Sequence, residues 1–349
     1  MRKGIYMKNI TKALLLLIMF ILCGCGQQIH QPKHNIFAQK PDSLTSQLVA
    51  IILPDHKLEL VTIVGVTSYD LNNNAKMIIY STLDYDYEQL VIIPQDEKEQ
   101  MFTDVKKYLR HPQISTDGAK IVFEARDNIT GDAQILIMDR LSKKMEPFFT
   151  DNIIGMYPRW SNDGKNISLL LHSTSCPEDL PESCFDLSIA SVESRQIIKT
   201  ISGPIEDNYP VSWSPDSNEI AFSRWKNGSY HLVIYNLNKN AENEVQNNGT
   251  NDKMSIWSDN GDQLAFSRSA TGDQNNSEIC ILENEIPECI DQKGSEVTGL
   301  FWIDNQTILF GVYDKPSDAT TVKILDTTTK KYMVLGVYSG YLDSFQALK

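Results

Sequence analysis

Four cysteines downstream of residue 25 are the side chains with the clearest chemistry in this sequence. Cys176 lies close to Cys184, and Cys280 and Cys289 flank a short turn, so each pair can meet within one hairpin. Four cysteines allow three pairings, and this spacing favours the two local ones. A zinc site built from all four thiolates is the alternative, but the sequence between them contains no Cys-x-x-Cys pair. We therefore expect two disulfides, no bound metal and an oxidising compartment.

The sequence contains none of the compact motifs that mark common catalytic sites. There is no G-x-S-x-G nucleophile elbow, no H-E-x-x-H zinc motif, no phosphate-binding loop and no G-x-G-x-x-G dinucleotide motif. We expect a protein that is not an enzyme and that binds no cofactor.

The first 25 residues have the composition of a secretion signal. Basic residues precede an apolar run, residues 13–22, which is too short to span a bilayer as a helix. The run ends in Leu22-Cys23-Gly24-Cys25, which resembles a bacterial lipobox, and this resemblance implies that the thiol of Cys25 carries a diacylglyceryl group. Gly26 stands where an aspartate would indicate inner-membrane retention, so we expect a lipid-anchored outer-membrane protein that faces the periplasm. An ordinary secretion signal with a chance cysteine is the alternative.

Residues 26–46 are rich in glutamine, asparagine, lysine, histidine and proline. A segment of this composition does not bury enough apolar surface to offset its chain entropy, so we expect a flexible tether. The formal net charge of −13 disfavours nucleic acid and anionic membrane surfaces as partners of the whole chain.

One short pattern recurs along the rest of the chain. In its clearest copy, Trp213-Ser214-Pro215-Asp216 leads into Ile220-Ala221-Phe222, which predicts a strand, a tight turn and a second strand. A repeat of about 40–45 residues with several short strands is typical of the blades of a β-propeller. The aliphatic residue that opens the second strand recurs at intervals of 43 to 53 residues, as Ile78, Ile121, Ile167, Ile220, Leu264 and Ile308.

The pattern resembles W-S-P-D-G-x-x-I-A-F-x-S, the blade motif of the WD40-like (PD40) repeats of TolB; related repeats occur in prolyl-oligopeptidase-type enzymes. The resemblance implies an all-β fold, a six-bladed β-propeller of four-stranded antiparallel blades, with seven blades as the alternative. We expect no counterpart here of the separate N-terminal α/β domain of TolB. We assign the propeller to residues 47–349, with blades A to F at 66–108, 109–153, 154–206, 207–251, 252–296 and 297–349.

Residues 47–66 contain two apolar runs divided by Pro54-Asp55-His56-Lys57, which predicts a hairpin ahead of the first blade. A propeller resists opening when strands from both chain ends share one blade. We therefore expect this hairpin to pair with or pack on the last blade, around Thr321–Val337.

Aromatic and histidine residues recur at different places within the repeats. We expect four tryptophans at the shared repeat position to pack between blades: Trp160, Trp213, Trp257 and Trp302. Three histidines lie at unlike positions and indicate no shared site: His111, His172 and His231.

Two classes of function fit these observations. We favour a non-enzymatic scaffold that binds envelope proteins, such as a peptidoglycan-associated lipoprotein or a component of a secretion complex. The alternative is a propeller enzyme or carbohydrate-binding protein that acts on envelope glycans, which would need several carboxylates converging in the channel. Tyrosine and tryptophan anchor many interfaces, so the candidate contacts are aromatic residues that we expect in exposed loops: Tyr85, Tyr87, Trp225, Tyr230 and Tyr313.

Overall fold

The computed structural model of the protein describes residues 35–40, 47–52, 60–64, 66–72, 77–84, 87–94, 100–101, 107–128, 131–174, 176, 184–206, 211–292 and 295–348. The regular elements within these ranges are β-strands, which confirms the predicted all-β fold. None of the described segments forms a helix of the length and apolarity that a membrane crossing requires.

Each of the six predicted repeats forms one four-stranded antiparallel sheet, which confirms the predicted propeller blades. Blade A contains β4 (Val66–Asn72), β5 (Met77–Asp84), β6 (Tyr87–Pro94) and β7 (Gln100–Met101). Blade B contains β8 (Tyr108–Ile114), β9 (Lys120–Arg126), β10 (Gln134–Asp139) and β11 (Met145–Pro147). Blade C contains β12 (Met156–Trp160), β13 (Asn166–His172), β14 (Phe185–Ser191) and β15 (Ile197–Ile201).

The later blades repeat this order from the innermost to the outermost strand. Blade D contains β16 (Ser212–Trp213), β17 (Glu219–Lys226), β18 (Ser229–Asn236) and β19 (Ala241–Glu244). Blade E contains β20 (Thr250–Trp257), β21 (Leu264–Ala270), β22 (Asp273–Leu282) and β23 (Glu288–Gln292). Blade F contains β24 (Glu296–Asp304), β25 (Thr307–Asp314), β26 (Ala319–Asp326) and β27 (Lys331–Ser339).

The two ends of the described chain form one further four-stranded sheet, the closing sheet. Its strands are β1 (Asn35–Lys40), β2 (Gln47–Ile52), β3 (Leu60–Val64) and β28 (Asp343–Leu348), in the order β28-β1-β2-β3. Strand β28 contacts both blade F and blade A, so the closing sheet lies between them in the ring. The described strands thus form seven four-stranded sheets, six from the repeats and one from the chain ends.

The closing sheet corrects two expectations about the chain ends. The predicted hairpin exists, because β2 pairs with β3, but its sheet takes its innermost strand from β28 and not from the region Thr321–Val337. Strand β1 lies inside the segment 26–46, for which we predicted a flexible tether. Strands β1 and β28 are short and lack the repeat motif, and β28 gains its partner β1 only when the ring closes.

In blades B to E, the turn between the first and second strands is held by a serine and an acidic or amide side chain. In blade B, the Ser115 hydroxyl donates to Asp117 Oδ1 at 2.6 Å, and the amide of Ala119 donates to the same oxygen at 2.9 Å. The next residue has a positive φ, which suits the glycine found there in blades B, C and E. Those residues are Gly118, Gly164, Ser217 and Gly261, at φ of 70°, 69°, 61° and 77°. We call the end of the ring that carries these turns the turn face, and the other end the far face.

The repeat tryptophans pack between blades, as predicted. Three of their indoles donate a hydrogen bond to the preceding blade: Trp160 to the Gln113 carbonyl at 3.1 Å, Trp213 to Ser168 Oγ at 3.0 Å and Trp302 to the Ile256 carbonyl at 2.9 Å. The fourth, Trp257, packs against a buried cluster that blades D and E share.

Apolar packing seals the junction between blade F and the closing sheet. Phe345 and Leu342 are buried in a cluster with residues of blade F such as Leu309. A Cβ added at Gly311 would lie 2.5 Å from the Phe345 ring, so the absence of a side chain there allows the close approach. On the other side, Gln346 Oε1 accepts a hydrogen bond from the Leu71 amide of blade A at 2.9 Å.

Candidate functional site

Two of the predicted contact residues meet at the far face of blade D. Trp225 lies near the end of β17 and Tyr230 near the start of β18, and their rings contact edge to face with centroids 5.0 Å apart. Both side chains are half-buried and belong to strands, which corrects the expectation that they lie in an exposed loop. Tyr85 lies outside the described residues, as does the side chain of Tyr87.

A lysine joins this aromatic pair to a buried carboxylate. Lys253 Nζ, on the innermost strand of blade E, lies 3.0 Å from Glu206 Oε2 and 4.3 Å from the centroid of the Tyr230 ring. The side chain of Glu206 is only 1% exposed. A backbone bond of 2.8 Å from the amide of Trp225 to the Pro204 carbonyl holds the Glu206 segment against β17. The cation is therefore fixed between a carboxylate and a ring face.

The third predicted residue, Tyr313, reaches the same region through two neighbours. Its ring lies 5.0 Å from that of Tyr341, whose hydroxyl donates to Glu296 Oε1 at 3.2 Å. Burial raises the pKa of Glu296, and the Tyr341 hydrogen bond and the charge of Lys253 oppose this rise. We call the whole set the far-face cluster: Glu206, Trp225, Tyr230, Lys253, Glu296, Tyr313 and Tyr341.

A second buried carboxylate ties blade B to blade C. Glu124, whose side chain is fully buried, accepts a hydrogen bond from the Tyr157 amide at 2.6 Å. It also contacts His111 Nδ1 at 2.6 Å and Arg126 Nη2 at 3.1 Å. Burial alone would raise the pKa of Glu124, but the charge and hydrogen bond of His111, together with Tyr157 and Arg126, lower it to about 2. His111 and Tyr157 have φ of 48° and 53° at β-bulges, which turn them toward this carboxylate.

A cavity of about 300 Å³ opens at the turn face, between the innermost strands of blades A to D. The Arg159 guanidinium lines it and donates from Nη1 to Gln113 Oε1 at 3.2 Å. Burial lowers the pKa of Arg159, and the negative charge of Asp70 opposes this effect. The lining residues are Asp70, Leu71, Gln113, Ile114, Thr116, Arg159, Trp160, Asn162, Val211, Ser212 and Trp213.

Asp70 is the acidic group of this cavity. Its carboxyl group accepts a hydrogen bond from the Ile114 amide at 2.9 Å, and the residue is 9% exposed. Burial raises the pKa of Asp70 to about 6, although the Ile114 hydrogen bond and the charge of Arg159 act in the opposite direction. A carboxyl group with a pKa near neutrality, beside an arginine and a cavity, is typical of a binding site. The sequence analysis did not identify either residue, although each is a polar side chain directly before the apolar residue that precedes the turn, Leu71 and Trp160.

The outermost strand of blade F exposes an apolar edge. Four large side chains of β27 are at least half exposed, and from Tyr332 to Ser339 the strand carries no charged residue. The outer strands of blades D and E instead carry acidic residues, such as Glu242 and Glu288. We call the exposed set the β27 edge: Tyr332, Met333, Val334 and Val337, at 50%, 51%, 51% and 65% exposure.

The structure pairs the cysteines as the spacing predicts. Cys176 is bonded to Cys184, and Cys280 to Cys289. Glu278 lies beside the second disulfide, but the bonded sulfurs are not the thiolates that a zinc site uses. Each of the three histidines has a local partner: His111 contacts Glu124, His172 packs on Phe185 and His231 bonds Glu244.

The ring of four-stranded sheets defines the class of the protein, a β-propeller with a TolB-like fold. It is similar to TolB from Acinetobacter baumannii, with a TM-score of 0.53 and 14% identity over 89% of this chain and 81% of that one. It is also similar to the β-propeller domain of the Trilobed protease from Pyrococcus furiosus, with a TM-score of 0.62 and 10% identity over 88% and 93% of the two chains.

An oligogalacturonate lyase solved in complex with manganese is a third structural neighbour, with a TM-score of 0.58 and 11% identity over 89% of this chain and 85% of that one. No protein-family model matches the sequence, and neither does the sequence of any curated protein. At these identities the similarity concerns the fold, and the neighbours include TolB as well as enzymes.

Proposed function

We propose that this protein is a non-enzymatic lipoprotein of the bacterial envelope that holds a partner protein on its propeller. The partner would be another envelope protein, such as a peptidoglycan-associated lipoprotein or a component of a secretion complex. The observation that carries the proposal is the β27 edge, exposed apolar side chains on a strand whose outer edge has no neighbour among the described strands. Folded proteins usually protect such edges with charge, proline or a cover, and an exposed apolar patch commonly marks a protein interface.

The edge fits an extended segment of a partner. An added strand would take up the free backbone groups of β27, while the exposed side chains would supply apolar contacts. The far-face cluster is the second contact region of this proposal, since Trp225, Tyr230 and Tyr313 are of the residue types that anchor interfaces.

The proposed location follows from the resemblance of residues 22–25 to a lipobox and from the two disulfides, which persist in oxidising compartments. Cys25 would carry the lipid, with the propeller facing the periplasm. Metabolic labelling of the full chain with a fatty-acid analogue tests this. The wild type should be labelled and sediment with outer membranes, and Cys25→Ala should lose both properties. A labelled Cys25→Ala variant would exclude this anchor.

Site-specific photocrosslinking in living cells tests the partner. A photoreactive residue at Val334 or at Met333 should yield one defined adduct with an envelope protein. In the chain labelled at Met333, Val334→Lys should abolish the adduct. The matched control is a photoreactive residue at Asn243, which is exposed on the outer strand of blade D. A label at Tyr313 tests the far-face cluster in the same way.

Two results would contradict the proposal. Adducts at Val334 and Tyr313 that equal those at Asn243, and contain abundant bystanders alone, would remove the support for a scaffold. Hydrolysis of an envelope glycan, ester or lactone by the purified full chain would show an enzyme, the alternative that the sequence left open.

A further inference from the structure

We propose that the turn-face cavity binds a single carboxylate group through Arg159. This site lies at the other end of the ring from the far-face cluster and is separate from the β27 edge. Its ligand would be a small carboxylic acid or the carboxyl terminus of a peptide, since both present the same group.

Arg159 has the donors that such a ligand needs. A guanidinium carries five N–H donors in a planar fork that matches the two oxygens of a carboxylate. Among the described hydrogen bonds, the side chain of Arg159 has one protein acceptor, Gln113 Oε1. The remaining donors belong to a partly buried cation that lines the cavity, where a charge-assisted hydrogen bond is stronger than in water.

The neighbouring groups restrict the ligand to one negative charge. Asp70 shares the cavity with Arg159, and its carboxyl group would repel a phosphate dianion more strongly than a carboxylate. Among the described hydrogen bonds and ion pairs none joins Asp70 to Arg159, and Asp70 Oδ2 instead accepts a hydrogen bond from the Ile114 amide at 2.9 Å. Trp160 and Trp213 form part of the wall, so the body of the ligand can be apolar or aromatic.

The test uses two pairs of probes that differ only in the charged group: benzoate against benzamide, and tri-alanine against its C-terminal amide. Binding is followed by the indole N–H signals of the isotopically labelled full chain. The signals of Trp160 and Trp213 should shift with the carboxylate probes, because both rings line the cavity. The Trp302 signal is the internal control, since its indole bonds the Ile256 carbonyl and is not part of the cavity wall.

Variants separate the role of Arg159 from a general effect of charge. Arg159→Gln should weaken binding at least about tenfold, the effect of losing one charge-assisted hydrogen bond. Lys165→Gln removes an exposed positive charge from the same face and should leave the affinity within about twofold of wild type. Asp70→Asn should tighten binding by about threefold or more, because it removes a nearby negative charge. This opposite change keeps the test valid if Arg159→Gln does not fold.

The outcomes are distinct. Shifts with benzoate alone support a small-acid ligand, and shifts with tri-alanine but not with its amide support a peptide terminus. Equal shifts with the charged and neutral members of both pairs would overturn the proposal. So would unmoved Trp160 and Trp213 signals at about 10 mM of each probe, ten times the concentration that half-fills a millimolar site.

Discussion

Two buried carboxylates in neighbouring blades have opposite acidities. Glu124, between blades B and C, is held by His111, Arg126 and the Tyr157 amide, and its pKa falls to about 2. Asp70, in the turn-face cavity, accepts the Ile114 amide and feels Arg159 through charge, and its pKa rises to about 6. Both are desolvated, so the difference comes from the number and charge of their partners.

The two carboxylates therefore have different roles: the Glu124 cluster stabilises the ring, whereas the surroundings of Asp70 favour binding. The Glu124 cluster is satisfied by groups of two blades and works as a structural tie. The partners of Asp70 do not fully offset the desolvation of its charge, and this destabilises the fold. Such perturbed groups are common at binding sites. Substitutions at these positions should therefore have opposite signs.

The largest effect should come from Glu124→Gln. The variant loses the negative charge that His111 and Arg126 face, and we expect the free energy of unfolding to fall by about 3 kcal/mol. Urea denaturation at neutral pH measures this loss. Glu242→Gln is the control, because that carboxylate bonds Arg224 at the exposed outer strand and should cost less than about 1 kcal/mol. Equal losses in both variants would show that the Glu124 cluster is not special.

Asp70→Asn should stabilise the protein at neutral pH, by about 1–2 kcal/mol. An asparagine can still accept the Ile114 amide, and it removes the desolvated charge. The melting temperature at pH 7.5 and at pH 3.5 tests this expectation. The gain should largely disappear at the lower pH, which lies below both the folded pKa of about 6 and the ordinary value of 3.8, so that the wild-type aspartate is mostly protonated in both states.

The pH dependence of stability should separate the two groups. The folded pKa of Asp70 lies above its ordinary value of 3.8, so its contribution is complete below that pH and is lost as the pH rises through about 6. The folded pKa of Glu124 lies below its ordinary value of 4.5, so its contribution is present above pH 4.5 and is lost as the pH falls through about 2. Urea midpoints measured from pH 2 to pH 8 should show both changes in stability. Asp70→Asn should remove the change near pH 6, and Glu124→Gln should remove the change at low pH.

The smallest effect concerns the coupling inside the cavity. Arg159→Gln removes the positive charge that holds the pKa of Asp70 down, so that pKa should rise by a further amount of about 0.5–1 unit. Carboxyl-carbon NMR titration of the wild type and the variant measures the shift. An unchanged Asp70 titration would show that the two groups do not interact, and the comparison with Glu124 would then depend on burial alone.

Much of the ring was predictable because its signals are local. In blades B to E, a serine, an acidic or amide side chain and a residue with positive φ define the turn within four positions, as at Ser115–Gly118, and the apolar second strand follows at once. The disulfides were predictable for the same reason, since each joins residues eight or nine positions apart. The turn motif and the disulfides each depend on residues close together in sequence, so they form wherever the two strands of a hairpin are paired.

The sites were less predictable because their residues meet only in the closed ring. Asp70 and Arg159 come from blades A and C, and nothing in either repeat indicates the other. Glu124 did carry a local signal, a glutamate inside the apolar strand Lys120–Arg126, which marks a buried charge that needs partners. The β27 edge was not predictable for a different reason: the sequence of β27 is that of an ordinary apolar strand, and only the sheet order shows that it has no outer neighbour among the described strands.

The closing sheet has a consequence for biosynthesis. Strand β28 leaves the ribosome after every other described strand, yet it occupies the innermost place beside β1, where Asn35 pairs with Leu348. The six repeats can each form local hairpins during synthesis. The ring can close only after β28 has been synthesised. A chain released before Asp343 would keep all its repeats and still lack the strand that bridges blade F to blade A.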